Sequence, residues 1–206
     1  MGRRILRVVL RWLERALVIA GVLCATWVYV TWNDAALYQL YAKNEMDHIA
    51  ARELPVDAWR PPIAEPARPG ESLIGVLTIP RVNLSVAVVE GDDDQALRIA
   101  AGHLPDTPLP WEEGNSALAG HRDTFFGPLQ AVRGGDEISL ATRRGTLRYR
   151  VVFMTIVGPD DLSVLGTSSD ADLTLITCYP FGYLGPAPQR FVVQAERVGT
   201  LVAFAR

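Results

Sequence analysis

The chain has 206 residues, 49% hydrophobic and 21% charged, which suffices for one domain of ordinary size plus an appendage and excludes two full catalytic domains. Its 17 Gly and 14 Pro sit among long aliphatic runs, so a wholly disordered chain is excluded. A net charge of −3 likewise excludes the broad basic footprint of a nucleic-acid-binding domain.

That charge averages two unlike pieces. In residues 1–15, Arg3, Arg4, Arg7, Arg11 and Arg15 stand against a single Glu14, so this segment carries +4 and the rest of the chain −7. Residues 16–32 then run without a charge, close to the roughly 20 residues that a bilayer-spanning helix needs. Arg7, Arg11 and Arg15 recur every fourth residue and stack on one helix face, where they can snorkel to lipid headgroups. A cleaved signal peptide has a shorter apolar region ending at small residues. Here Trp27, Tyr29 and Trp32 occupy the far end, as in an interfacial aromatic belt. Lipoprotein processing at Cys24 is disfavoured by Leu23 before it. The expectation is an uncleaved single-pass anchor at 16–32, preceded by a basic cytoplasmic segment at 1–15, with everything after Trp32 outside, extracellular or periplasmic.

Residues 33–54 read as a modest helix that continues the anchor as a stalk. Pro55, Pro61, Pro62, Pro66 and Pro69 follow, a composition that favours a semi-rigid extended spacer. The stalk and linker together take 33–70, and the folded domain is expected at 71–206. There, short apolar and β-branched segments dominate at 73–79, 84–89, 116–119, 137–141, 147–157, 173–177 and 191–195, seven strands with an eighth left open. Turn signals such as Arg133-Gly134-Gly135-Asp136 separate them, and Asp92-Asp93-Asp94 reads as the acidic start of a short helix before Leu97. Regular short spacing of this kind argues for an all-β barrel or sandwich.

The chemistry must come from few residues. The two cysteines, Cys24 in the anchor and Cys178 in the exported part, are not placed to pair, so an exported Cys178 is either buried and inert or kept for reaction. It closes the strand Thr174-Leu175-Ile176-Thr177-Cys178, where a buried strand reaches the surface. Of three histidines, His48 lies in the stalk and reads as a solvated residue, while His103 and His121 each follow a glycine. Neither C-x-x-C nor H-x-x-x-H occurs, and Glu112 and Glu113 read as a solvated turn, so no metal and no other cofactor is expected. A strand-end Cys with a strand-end His is the minimum for thiolate catalysis, because a free thiol of pKa near 8.5 is only a few per cent ionised at pH 7. Arg190, opening the strand Arg190-Phe191-Val192-Val193, offers donors to a developing oxyanion.

These segments carry a resemblance. Thr174-Leu175-Ile176-Thr177-Cys178 resembles the TLxTC motif of sortases, the membrane-anchored cysteine transpeptidases of bacterial surfaces. Gly120-His121-Arg122-Asp123-Thr124-Phe125-Phe126 is similar to their histidine segment, and Ala187-Pro188-Gln189-Arg190-Phe191-Val192-Val193 to their arginine strand. The likeness covers about residues 72–198, and the CYPF and APxRFVV wording is most similar to class D. It implies an eight-stranded sortase barrel with short helices behind one transmembrane helix. It also implies catalytic Cys178, His121 and Arg190, with Thr177 adding a backbone or hydroxyl donor at the oxyanion. The implied reaction cleaves an LPxTG-like sorting signal on a surface protein and passes the acyl group to an amine, from a wall precursor or a pilin lysine. His103 remains the rival for the acid. A different wall thiol enzyme, such as an L,D-transpeptidase or hydrolase, and a non-catalytic envelope scaffold remain as alternatives.

Overall fold

The structure is a computed structural model and describes residues 2–51, 73–166 and 172–199. The expected Pro-rich spacer therefore lies outside the described residues. The chain divides into two compact units, residues 1–37 and 38–206.

The first unit is helical, part of the single helix α1, Gly2–Ala51. Its apolar side chains are uncovered, with Leu17 and Trp27 65% and 74% exposed, as suits a helix solvated by something other than protein. It is long and apolar enough to cross a membrane. The Thr26 hydroxyl there is satisfied internally: Thr26 Oγ1 donates to the Val22 carbonyl at 2.8 Å, one helical turn back.

The second unit is a closed barrel of eight strands, as the sequence and its resemblance led one to expect. The strands are β1 (Leu73–Ile79), β2 (Leu84–Glu90), β3 (Ala101–His103), β4 (Asn115–Ala119), β5 (Glu137–Thr142), β6 (Gly145–Val157), β7 (Asp172–Tyr179) and β8 (Gln189–Arg197). Around the barrel the order is β1-β2-β3-β4-β7-β8-β6-β5, and β5 closes on β1. Two pairings are parallel, β2 with β3 and β4 with β7; the others are antiparallel.

Strand alternation sends one face of each segment inward. Leu77, Ile79, Val86, Val88, Leu118, Ile138, Leu140, Leu147, Leu173, Leu175 and Val193 fill the barrel together with Phe126 and Tyr149. Burial of each such side chain stabilises by roughly 1.5–3 kcal/mol before entropy is counted. The unpredicted strand is β3, whose three residues are too few to show any alternation. It is preceded by helix α2, Asp94–Ile99, which starts where the acidic run placed it. Asp93 is its N-cap, accepting from the amides of Gln95 and Ala96 at 2.9 and 2.8 Å.

The outer face of β1 and β2 is covered as well. Within the second unit, Ala42 and Met46 of α1 pack on Val76, Ala87 and Val89 beside Ala100. Because β3 pairs with no residue of β2 before Val88, the Ala87 amide extends past that ladder, and Gln39 Oε1 accepts it at 2.7 Å. Gln39 Nε2 in turn donates to the Ile99 carbonyl at 2.7 Å. The stalk segment from Tyr38 onward therefore packs on the barrel, a contact that its mixed composition did not announce.

Candidate active site

On three neighbouring strands, β4 and β7 end and β8 begins at the same edge of the wall. In β7, Leu173 and Leu175 face the core, so alternation puts Cys178 on the outer face with Ile176 and Thr174. Cys178 is partly exposed. Its register partner across the antiparallel pair is Arg190. Directly opposed residues share a face with Cβ atoms about 4.5–5.5 Å apart, so the thiol and the guanidinium stem project side by side.

His121 arrives from the other neighbour. The parallel β4–β7 ladder pairs Ala119 with Ile176, and the Gly120 amide continues it by donating to the Ile176 carbonyl at 3.1 Å. One residue further the chain leaves the ladder, and the exposed His121 stands at that departure, beside the end of β7. Sequence motif and topology thus bring Cys178, Arg190 and His121 to one end of three adjacent strands.

The local sequence explains the turn. Gly120 has the Phe126 ring where a Cβ would sit, at 2.7 Å, so any side chain there would collide with a residue that is itself fully buried. The His121 carbonyl accepts from the amides of Thr124 and Phe126 at 3.4 and 2.9 Å, and the chain passes into a short 3₁₀ turn, Gly127–Ala131. Phe126 anchors the turn in the core, and His121 is left at its exposed start.

Thr177 is buried, and its hydroxyl donates to the Gly120 carbonyl at 2.7 Å. That proton is engaged, so the hydroxyl ties β7 to the segment that carries His121. Arg190 Nη1 donates to the carbonyls of Ala187 and Gln189 at 3.2 and 3.0 Å. Among the described residues its Nε and Nη2 have no acceptor, which leaves donors for a substrate oxygen. Tyr179, Phe181 and Phe191 form an aromatic cluster next to the site, with centroids 5.4–6.4 Å apart.

His103, the rival acid, is placed quite differently. It is 1% exposed, with Nδ1 3.0 Å from Glu90 Oε2 and Nε2 3.0 Å from the Pro108 carbonyl. Burial pulls its pKa down. The bonds to Glu90 and to the Pro108 carbonyl, with the negative charges of Glu90 and Glu112, outweigh that and hold it above the usual histidine value. With both nitrogens facing acceptors and the ring buried, its place is structural, and the surroundings favour its protonated form. Glu112, weighed above as part of a turn, accepts from the Leu109 amide at 2.9 Å.

A protein-family model for the sortase domain matches residues 77–198. The chain belongs to the sortase family. This sortase is 38% identical over 125 residues to Sortase D of Bacillus subtilis (strain 168), a match covering 60% of the chain and 63% of that relative's length. Sortase A of Bacillus anthracis is 28% identical over 167 residues, covering 78% and 76% of the two chains. Among solved structures, the Clostridium perfringens Sortase D5 transpeptidase superposes with a TM-score of 0.57 at 26% identity, over 63% of this chain and 81% of its own. Streptococcus agalactiae sortase C1, solved in complex with MTSET, gives 0.60 at 26% identity over 82% and 92%. The class D wording of the sequence agrees with the Sortase D relative.

Proposed function

We propose that this sortase is a membrane-anchored cysteine transpeptidase that cleaves an LPxTG-like sorting signal and transfers the acyl group to an amine. The observation that carries the reading is the convergence of three strand ends, with Cys178 opposite Arg190 on one face and His121 leaving the adjoining strand. The thiolate of Cys178 attacks the carbonyl carbon of the Thr–Gly bond, forming a C–S bond and a tetrahedral oxyanion. Arg190 donates to that oxygen through Nε or Nη2. As the C–N bond breaks, the imidazolium of His121 gives its proton to the departing amine, leaving a thioester on Cys178. The incoming amine then attacks the thioester, His121 takes its proton, and the thiolate leaves. Thr177 contributes by holding the Gly120 segment against β7.

The partners this implies are a surface protein bearing the sorting signal and an amine acceptor, a wall precursor or a pilin lysine. The basic residues before the apolar stretch support an N-terminus in the cytoplasm and a catalytic domain outside the membrane.

The test is intact mass spectrometry of the full chain in detergent, incubated with a panel of LPxTG-like peptides and then an amine, beside Cys178→Ala, His121→Ala and Arg190→Ala. An acyl adduct on Cys178 that the amine discharges into a ligated peptide is expected. Arg190→Ala should slow the adduct by about 10²–10³-fold. No adduct while Cys178 still alkylates readily would point to another wall thiol enzyme, and an unreactive Cys178 to a scaffold.

A further inference from the structure

The residue after the proposed acid does something that its place in the motif does not reveal. Arg122 Nη2 donates to two backbone carbonyls in the loop between β7 and β8, Tyr183 at 2.7 Å and Gly185 at 3.0 Å. That loop begins two residues after Cys178 and ends two residues before Arg190. Its root is held by Phe181 against Phe191 and Tyr179. Its tip has no comparable packing, since Gly182, Tyr183, Leu184, Gly185 and Pro186 are all exposed and Leu184 is 95% so. Gly185 sits at φ +100°, a turn that only glycine adopts readily, and it presents its carbonyl to the guanidinium.

We infer that Arg122 is a positioning residue, which latches the tip of the β7–β8 loop to the His121 turn and so fixes the spacing between the nucleophile's strand end and the acid. The inference rests on the function proposed above. Its physical basis is the neighbouring attachment of the two functions. His121 and Arg122 are consecutive, and the turn that carries them is locked from behind by the buried Phe126. A bond from Arg122 therefore references the loop to the same rigid point that holds His121. At the loop's other end Arg190 Nη1 binds the Ala187 and Gln189 carbonyls, so the loop is held at both ends by arginines, one next to the proposed acid and the other itself the proposed oxyanion donor. Guanidinium-to-carbonyl bonds are charge-assisted and directional, which suits them to setting a position. A misplacement of about 1 Å at a reacting centre costs on the order of 10²-fold in rate.

The experiment compares the full chain with Arg122→Met, which keeps length but loses donors and charge, and Arg122→Lys, which keeps a charged donor. All are measured in detergent with 0.5 M NaCl, where charges are screened beyond about 4 Å. Two readouts are taken: the rate of acyl-adduct formation at saturating LPxTG-like peptide, and amide hydrogen exchange across residues 180–188 without peptide. The expected result for Arg122→Met is a tenfold or greater fall in the saturated rate, with little change in the half-saturating peptide concentration, and faster exchange at 180–188. Arg122→Lys should recover most of both. A Met variant that acylates or exchanges like the parent overturns the inference, as does a Lys variant no better than Met. Should the parent form no adduct with any peptide, the sorting-signal reading fails. The exchange comparison still decides on Arg122: faster exchange that Lys reverses supports the latch, and unchanged exchange overturns it.

Discussion

Two loops of the barrel unit are held in opposite ways. The connection at 104–114, between β3 and β4, is pinned from inside the protein. His103 Nε2 binds the Pro108 carbonyl from a buried position, and the Tyr149 hydroxyl donates to the Pro110 carbonyl at 2.9 Å, also in the interior. Arg197 reaches the same Pro110 carbonyl, and Arg144 lies over the Trp111 ring, 4.6 Å from its centroid. The loop at 180–188 is held by arginines at its surface. A bond made in the interior is expensive to break because its partner is left unpaired away from water, whereas a bond at the surface is replaced by solvent at small cost. The first loop is therefore part of the stability of the fold, and the second is free to be tuned for the proposed reaction.

The contrast is most severely tested at His103. Replacement by Leu strands the Pro108 carbonyl and removes the counter-ion of Glu90, and should destabilise the folded barrel by about 2–3 kcal/mol in denaturant unfolding. A change below 0.5 kcal/mol would remove the interior pin from the comparison. Tyr149→Phe deletes one buried hydrogen bond with little change of shape and should cost about 1–2 kcal/mol. The His103 cation also predicts a pH dependence. Its folded pKa is raised above the unfolded value, so its contribution is complete below about pH 6.5 and fades as the pH rises through the folded value. Melting temperature should fall between pH 6 and pH 9 in the parent and fall less in His103→Gln; equal slopes would show that the imidazolium is not the group responsible. Smallest of all, Arg122→Met should change stability by under about 0.5 kcal/mol. Amide exchange should then be fast at 180–188 and slow at 104–114, and the Met change should quicken the former alone.

A similar division governs what the sequence disclosed. Seven strands showed themselves because alternation needs four or more residues to register, and β3 escaped because it has three. Cys178, His121 and Arg190 were legible from motif wording, and the register between Cys178 and Arg190 gives that wording a geometric content. His103 and His121 looked alike, each after a glycine. What separates them is long-range pairing: the parallel β2–β3 register sets His103 opposite Glu90, while Gly120 leaves its ladder and frees His121. Nothing local announces that Arg122 will meet carbonyls 61 and 63 residues away, or that Arg81 will pair with Asp136 at 2.7 Å across 55 residues. From sequence Thr177 offers a backbone or hydroxyl donor, and the engagement of its hydroxyl is invisible there because the acceptor, the Gly120 carbonyl, lies just past the end of β4.

The order in which the strands meet has a further consequence. Cys178 and Arg190 belong to a single hairpin and come together as soon as β7 folds back on β8. His121 joins them only when the parallel pairing of β4 with β7, spanning 57 residues at each rung, has closed. In the proposed mechanism, a half-assembled or damaged barrel thus carries a thiol beside a guanidinium but lacks the group that would protonate a departing amine. The proposed reaction is disarmed until the barrel wall is complete.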